Sequence, residues 1–268
     1  MDYSGHSSHR ETTIARIAIT RAISRAMQHC ELSHLPRRPI DLGLARRQHA
    51  AYEAALCEAG CEVRQLPEQP DQPDSVFVED TVIVLDEVAV AARPGAPSRR
   101  GEVESMAAML ADWRKVLWIE PPGTLDGGDV LKLGRVLHVG TTARSNSDGI
   151  AQLAHLVAPL GYRVEGVPVH GCLHLKSAVT QVAPDRLLLN PQWVDARRFS
   201  GWATVAVDPA EPHGANALRV GASVIYPASC PRTVEKLRAL RIDVRSVDMS
   251  ETEKAEGGVT CCSVIFDA

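Results

Sequence analysis

A structural unit of roughly 40 to 50 residues recurs along this chain and constrains its fold more than any other feature of the sequence. Each unit begins with two short apolar segments joined by a tight turn, which is typical of a β-hairpin. The hairpins predicted in this way span residues 81–92, 130–139, 179–190 and 218–226.

A stretch with helical character follows each hairpin, and a further apolar strand follows that stretch. The helical stretches are residues 101–114, 148–160, a poorer one at 192–199, and 231–240. The closing strands are residues 116–119, 162–167, 203–207 and 242–247. The repeating unit is therefore strand, strand, helix, strand.

A fifth unit needs segments from both ends of the chain. Residues 259–266 supply its first strand, and residues 14–20, a helix at 42–59 and a strand at 61–66 supply the rest. The sequence predicts an α/β fold, a fivefold pseudosymmetric α/β propeller of strand-strand-helix-strand units whose termini close one unit and leave no long strand edge exposed. The alternative is an ordinary βαβ sheet with scattered hairpins. We expect residues 1–13 to form a flexible N-terminal extension and residues 14–268 a single catalytic domain.

Composition narrows the class of partner. The chain has 268 residues, 45% of them hydrophobic, and a formal net charge of −4, so it can bury a substantial core and carries no basic excess. This argues against nucleic acid and membranes as partners and predicts a small-molecule ligand, while the sequence does not decide between a monomer and a homodimer. Seven scattered cysteines without CxxC pairs, and no secretory or membrane-spanning pattern, indicate thiols in a reducing compartment, the cytoplasm.

Two adjacent cysteines near the end of the chain are a candidate site. Cys261 and Cys262 follow Gly257 and Gly258 and precede an apolar run. On a strand, successive side chains point to opposite faces, so one thiol would face a cavity and the other would pack into the core. The pair alone is compatible with core filling as well as with chemistry.

An acidic loop before the first hairpin is a second candidate. Asp74, Glu79 and Asp80 surround Phe77, and three close carboxylates repel one another unless a cation neutralises them. The phenylalanine ring would form an apolar wall for a planar cation. The alternative is a solvated loop without function.

Further polar residues precede the hairpins predicted at residues 130–139 and 179–190 and the helices predicted at residues 101–114 and 148–160. Asp126 lies in a Gly-Gly loop, and His174 occupies the equivalent position one unit later. Arginines occur in residues 93–100 and 141–146, and arginine is the natural bidentate partner of a carboxylate. An acidic pocket beside arginines suits a substrate with a cation at one end and a carboxylate at the other.

Five motifs in register carry a family resemblance, and they lie at residues 73–80, 93–100, 125–130, 173–177 and 257–262. With them the chain, from about residue 14 to 266, resembles the dimethylarginine dimethylaminohydrolases of the guanidine-modifying, or pentein, superfamily. The resemblance implies a fivefold α/β propeller. It also implies hydrolysis of Nω-methylated L-arginines (asymmetric dimethylarginine, monomethylarginine) to L-citrulline and dimethylamine or methylamine, through a covalent S-alkylthiouronium intermediate on Cys261.

The resemblance also assigns roles to residues. It makes Cys261 the nucleophile, His174 the general acid and base, and Asp126 the carboxylate that orients the histidine. The substrate-binding positions that it implies are Leu32, Asp74, Glu79, Asp80, Arg99, Arg144, Ala255 and Glu256. Phe77 joins them as the apolar wall proposed above. Glu256 departs from the aspartate of some members. No metal or cofactor is implied, although zinc bound at Cys261 would inhibit.

Two alternatives stay open at this point. One is an arginine deiminase or amidinotransferase of the same superfamily, against which the short links between units argue, because deiminases of this type usually carry a helical insertion. The other, more remote, is a non-catalytic protein that binds a cationic amino acid.

Overall fold

The computed structural model describes residues 15–268, so the extension expected at residues 1–13 lies outside the described residues. That part of the chain contains short strands and six α-helices. The strands are β1 (Arg16–Arg21), β2 (Cys61–Leu66), β3 (Val82–Val84), β4 (Val88–Ala91), β5 (Lys115–Trp118), β6 (Val130–Leu133), β7 (Val136–Thr141), β8 (Arg163–Pro168), β9 (Val179–Ala183), β10 (Arg186–Leu189), β11 (Ala203–Ala206), β12 (Leu218–Val220), β13 (Ser223–Pro227), β14 (Asp243–Val247) and β15 (Val264–Asp267). The helices are α1 (Leu42–Glu58), α2 (Val103–Leu110), α3 (Ser147–Val157), α4 (Leu175–Ala178), α5 (Pro231–Ala239) and α6 (Ser250–Glu253).

The strands form five separate three-stranded sheets. In each sheet the central strand pairs antiparallel with one neighbour, as in a hairpin, and parallel with the other. A parallel pairing requires a crossover connection, and a helical segment lies between the two parallel strands in every unit. The repeating unit read from the sequence is therefore confirmed, and the fold is mixed α/β.

The fifth sheet joins the two ends of the chain. Its order is β15, β1, β2, with β1 in the centre. Ile17 lies opposite Phe266 in the antiparallel pair and opposite Glu62 in the parallel pair. The unit assembled from both termini thus has the predicted composition.

Apolar side chains are buried in five larger clusters, and each cluster combines residues of two neighbouring units. Helix α3 shows how a helix contributes. It begins where the side chain of Asn146 accepts a hydrogen bond from Gly149 N at 2.8 Å, and it buries Leu153 and Val157 in the cluster shared by the units of β3–β5 and β6–β8. Each sheet is consequently held by its neighbours as well as by its own helix.

Two predicted helices are shorter than expected. The helix predicted at residues 101–114 is α2, preceded by a 3-10 helix at Pro97–Glu102. The one predicted at 192–199 is only a 3-10 helix at Ala196–Phe199. There the side chains of Asn190 and Asp195 accept hydrogen bonds from backbone N–H groups two residues ahead, and such bonds compete with helix formation.

The strand predicted at residues 259–266 begins only at Val264, and Cys261 lies in a turn. The reason is that the backbone N–H groups of this segment donate their hydrogen bonds to groups outside the sheet. Thr260 N donates to Asn216 Oδ1 at 3.0 Å, and Cys261 N donates to Gly258 O at 3.2 Å, so neither is available to a strand partner. The argument that strand alternation separates the two thiols was therefore wrong.

No helix among residues 15–268 is both long and apolar enough to cross a membrane.

The turn at residues 259–262, which carries Cys261, is called the cysteine turn below. We expect Tyr52→Phe to lower the free energy of unfolding by about 1–3 kcal/mol, because it removes buried hydrogen bonds that join α1 to this turn and to Ser263 directly after it. The Tyr52 hydroxyl donates to Val259 O at 2.8 Å and lies 2.6 Å from Ser263 Oγ. Urea denaturation measures the change. The control is Tyr162→Phe, whose hydroxyl has one long contact of 3.4 Å to Asp86. An equal loss in both variants would contradict the expectation.

Candidate active site

Most of the predicted site residues meet around one small cavity of about 20 Å³. The lining consists of Glu31, Asp74, Phe77, Asp80, Arg99, Arg144, Leu173, His174, Ala255, Glu256, Gly257 and Cys261. Three predicted residues do not line it. Asp126 and Glu79 lie behind it and contact residues near it, and Leu32 packs against the neighbouring core while Glu31 faces the cavity. Sequence reasoning missed Glu31, and it quoted Leu173 and Gly257 in motifs without assigning them a role.

His174 is fixed by two buried carboxylates. Its Nε2 lies 3.0 Å from Asp126 Oδ2, and its Nδ1 lies 3.7 Å from Asp80 Oδ1. The histidine can approach so closely because residue 128 is glycine, and a Cβ there would stand 2.7 Å from His174 Nδ1. Gly128 is thus required by the packing of the histidine, and Gly127 by the backbone oxygens of Glu79 and Val82.

These neighbours set the protonation of the site. Burial alone would lower the pKa of His174, but Asp80, the hydrogen bond to Asp126 and the charge of Asp129 together raise it to about 9. Burial likewise opposes ionisation of Asp80, yet His174 and Arg99 lower its pKa to about 2. At neutral pH the pair therefore consists of an imidazolium and a carboxylate.

Asp129 positions the histidine from the other side. Its Oδ1 accepts a hydrogen bond from Leu175 N at 3.0 Å, and its Oδ2 accepts hydrogen bonds from the hydroxyls of Thr142 and Ser145 at 2.6 Å. Leu175 is the first residue of α4, directly after His174. The sequence carried a signal for this role, because both aspartates flank the glycine pair, but the residue implied by the family resemblance was only Asp126.

Cys261 is buried, with 8% of its surface exposed, and its sulfur accepts a hydrogen bond from Gly258 N at 3.3 Å. Burial, Glu79 and Asp80 raise the pKa of its thiol to about 12, against the smaller opposite effects of this N–H group and of Lys176. The thiol is neutral in the unliganded protein. Cys262 is fully buried in the core shared with α1, which agrees with a packing role.

The acidic loop is neutralised by protein cations and donors. Glu79 accepts from Lys176 Nζ at 2.6 Å and from Thr260 Oγ1 at 2.7 Å. Asp74 accepts from Glu31 N at 3.0 Å, and burial raises the pKa of its carboxyl. The reading of a solvated loop is therefore wrong, because the three acids are buried or nearly so and each has a partner in the protein.

The two predicted carboxylate-binding arginines differ sharply. The buried guanidinium of Arg99 forms ion pairs with Asp80 and Glu102 and donates to two backbone carbonyls. Arg144 lines the cavity, and its buried Nη1 has no hydrogen-bond partner, the nearest charge being Asp126 Oδ2 at 3.9 Å. Arg99 thus lines the cavity but is already paired within the protein, whereas Arg144 has a free donor.

The cavity is bounded on its remaining sides by Phe77 and by residues 255–257. A Cβ on residue 257 would collide with the Phe77 ring, so glycine there lets the ring lie against the backbone. Glu256 adopts a positive φ of 59°, and its Oε1 accepts hydrogen bonds from the backbone N–H groups of Ser33, His34 and Leu35. Glu256 therefore ties the segment after Leu32 to the site.

Donor atoms that could hold a metal ion come together, within residues 15–268, at Asp80, Asp126 and His174, where they lie within 4.8 Å of one another. Cys261 is not part of that group, and zinc inhibition at its sulfur stays a prediction. Arg99 already neutralises Asp80, and the backbone N–H group of Gly95 already donates a hydrogen bond to Asp126.

A second, larger cavity of about 550 Å³ adjoins the small one. The two share Leu173, Glu256 and Gly257 in their linings. Substrate-sized space therefore exists directly beside the cysteine turn.

Comparison with known proteins agrees with this geometry, although no protein-family model matches the chain. A dimethylarginine dimethylaminohydrolase of Streptomyces coelicolor is 42% identical over 92% of this chain and 95% of its own length. The same enzyme of Pseudomonas aeruginosa is 36% identical over 84% of this chain and 90% of its own.

Solved structures extend the comparison to the fold. A cysteine-to-serine mutant of the Pseudomonas aeruginosa enzyme, complexed with citrulline, superposes with a TM-score of 0.90 at 33% identity and covers 94% of this chain and all of its own. A cyanobacterial arginine dihydrolase domain, covering 94% of this chain and 97% of its own, reaches a TM-score of 0.84 at 19% identity and so shows the fold alone. The chain belongs to the dimethylarginine dimethylaminohydrolase family.

Proposed function

We propose that the protein hydrolyses Nω-methylated L-arginines, both asymmetric dimethylarginine and monomethylarginine, to L-citrulline and dimethylamine or methylamine. The observation that carries the proposal is the meeting of Cys261, His174 and a set of buried carboxylates at one cavity. Relatives named for this reaction span nearly the whole chain, and one of them was solved with citrulline bound.

The carboxylates suit the reacting group of this substrate. A guanidinium is a planar, resonance-stabilised cation and a poor electrophile, so it must be held in a fixed plane with its central carbon against the nucleophile. Asp80 faces the cavity, and Phe77 supplies an apolar wall beside it. Glu79 is already paired with Lys176, so it acts on the substrate through its charge and its position.

Substrate binding is the step that activates the thiol. With the pKa of Cys261 at about 12, only a minute fraction of the unliganded enzyme carries a thiolate at neutral pH. His174 does not counteract this, because its positive charge is neutralised by Asp80 and Asp126. A guanidinium placed against the sulfur brings the missing positive charge, so the thiol loses its proton to solvent and the thiolate forms at the moment when attack is useful.

His174 then serves as acid and as base. The Cys261 thiolate attacks the central guanidinium carbon and forms a tetrahedral adduct. The imidazolium donates its proton to the alkylated nitrogen, the C–N bond breaks, and the amine leaves the S-alkylthiouronium intermediate. The neutral imidazole next takes one proton from water, whose oxygen attacks the same carbon. The C–S bond then breaks and the thiolate is released, while the hydroxyl group of the adduct loses its proton to solvent, where the departed amine is protonated, and neutral citrulline forms.

Arg144 is the residue that we assign to the substrate α-carboxylate. Its Nη1 is buried, lines the same cavity and lacks a hydrogen-bond partner, so a carboxylate would satisfy it. Arg99 supports the site indirectly by holding Asp80. Leu32, Asp74, Ala255 and Glu256 complete the proposed substrate surroundings.

The arrangement of the units belongs to the same proposal, in which the five sheets of a single domain, residues 14–268, form a closed fivefold propeller. The five larger apolar clusters support it, because they link the units in one circuit: first to second, second to third, third to fourth, fourth to the terminal unit, and the terminal unit back to the first. A crystal structure in which neighbouring units are not related by about one fifth of a turn would refute it.

Two general expectations remain proposals. The seven cysteines all lie in the described part of the chain and are all free, which supports a reducing compartment such as the cytoplasm. The protein is expected to act as a monomer or a homodimer, without a cofactor.

Exchange of each cysteine for serine separates the nucleophile from its neighbour. Cys261→Ser should reduce citrulline formation by roughly 1,000-fold or more, because a hydroxyl cannot replace the thiolate. Cys262→Ser should retain activity within roughly tenfold, because the buried Cys262 fills the core. Steady-state kcat values of the two variants measure the difference. An equal loss of activity in both variants would contradict the assignment of Cys261 as the nucleophile.

A panel of substrates tests the reaction class. We expect kcat/KM for asymmetric dimethylarginine and monomethylarginine to exceed that for L-arginine by roughly tenfold or more. Citrulline formation with each compound is the measurement. Preference for L-arginine would favour a deiminase, and binding without turnover would favour the non-catalytic alternative.

The raised pKa of His174 predicts a pH-dependent stability. Because its folded pKa of about 9 exceeds the ordinary value of 6.5, the stabilisation is complete below pH 6.5 and is lost as the pH rises through 9. The difference in unfolding free energy between wild type and His174→Asn should therefore shrink by on the order of 3 kcal/mol between pH 6 and about pH 10. Urea titrations of both proteins measure it, and a constant difference would show that the histidine is not charged in the folded state.

A further inference from the structure

We infer that Lys176 is a positioning residue for the nucleophile: it neutralises Glu79 and, through Thr260 and Asn216, fixes the cysteine turn against the segment that carries His174. The inference rests on the proposed function, since it concerns the same cysteine.

Glu79 is held at both of its oxygens by protein groups. Lys176 Nζ donates to Oε1 at 2.6 Å, and Thr260 Oγ1 donates to Oε2 at 2.7 Å. The side chains of the ion pair are only 16% and 12% exposed, so the charges are poorly screened by solvent. The carboxylate therefore has a defined place and a cation of its own before any substrate arrives.

Asn216 joins the two catalytic segments to this pair. Its Nδ2 donates to the backbone oxygen of Lys176 at 3.1 Å and to Thr260 Oγ1 at 3.0 Å, and its Oδ1 accepts from Thr260 N at 3.0 Å. Thr260 directly precedes Cys261, and Lys176 lies two residues after His174. A closed ring of hydrogen bonds thus joins Lys176, Glu79, Thr260 and Asn216, and two of its members are close neighbours in sequence of the nucleophile and of the acid and base.

The charges around Cys261 give Lys176 its second role. Glu79 and Asp80 both oppose formation of a thiolate, and Lys176 favours it. The other charged groups near the sulfur are already paired with one another, Asp80 with Arg99 and His174, and Asp126 with His174 and at longer range Arg144. Without Lys176, one buried carboxylate charge beside the thiol would have no counter-ion.

This charge balance predicts opposite effects on binding and on chemistry. Lys176→Met removes one positive charge from the pocket, so a cationic substrate should bind at least as tightly and KM should stay level or fall. The thiolate is disfavoured, so kcat should fall by roughly tenfold or more. A residue that merely supported the fold would not separate the two constants in this way.

The test uses the full-length protein and a neutral reagent. Iodoacetamide is applied at constant pH, and the rate of carbamidomethylation of Cys261 is followed by mass spectrometry of its peptide, because Cys57 is exposed and also reacts. We expect Lys176→Met to slow this rate by roughly tenfold and Lys176→Arg to stay within roughly threefold of wild type. The matched control is Lys132→Met, which removes a lysine-carboxylate pair of the same 2.6 Å length, to Asp86, and should leave the rate unchanged.

Two further variants test whether the effect passes through Glu79. Glu79→Gln should react faster than wild type, because Lys176 is then unopposed, and Glu79→Gln combined with Lys176→Met should return to within roughly threefold of wild type. The inference is overturned if Lys176→Met reacts at the wild-type rate, or if Lys176→Arg loses as much rate as Lys176→Met. It is also overturned if Glu79→Gln leaves the rate unchanged, or if the double variant is as slow as Lys176→Met. Alkylation needs no turnover, so a failure of the proposed reaction, shown by an active Cys261→Ser, remains distinguishable.

Discussion

The buried carboxylate of Asp80 is the interaction on which the rest of the site depends. It pairs with Arg99, faces His174 and accepts a hydrogen bond from Gly128 N at 3.1 Å. A carboxylate so deeply buried would be protonated without such partners, and here its pKa is held at about 2. Because Glu102 and two backbone carbonyls of the acidic loop fix Arg99 in turn, the shape of that loop and the orientation of the histidine belong to one network.

The fold supplies this network with members that are far apart in sequence. The acidic loop precedes β3, the Gly-Gly loop precedes β6, the histidine precedes α4, and the cysteine turn precedes β15. Each is a loop at the entrance to the repeating unit, so the repetition of one supersecondary unit brings different side chains to a common place. The terminal sheet is essential to this, since β1 pairs with β15 and thereby anchors the cysteine turn to the beginning of the described chain.

The sequence allowed the repeat and the sheet composition to be predicted, because hairpin turns are local properties, while most of the cavity lining was implied by the family resemblance. Apart from Asp126 and His174, whose pairing the resemblance also implied, the side-chain partners could not be predicted. Arg99 was assigned to the substrate, whereas the structure pairs it with Glu102, three residues ahead, and with Asp80. The same limit applies to the turn that carries Cys261. This turn depends on a hydrogen bond from Thr260 N to the side chain of Asn216, which lies 44 residues earlier in the chain. Partners of buried ions are set by tertiary packing, and no short-range pattern encodes them.

The chemistry of the resting site follows from this burial. An unliganded enzyme with a thiol pKa of about 12 beside an imidazolium with a pKa of about 9 holds both protons at neutral pH. Such a cysteine is protected from adventitious alkylation and oxidation, because the thiolate is the reactive form. In the proposed mechanism the cationic substrate supplies a positive charge beside the sulfur, so the same carboxylates that suppress the thiolate also attract the ligand that favours it. Selectivity and activation therefore have one electrostatic origin in the proposed mechanism.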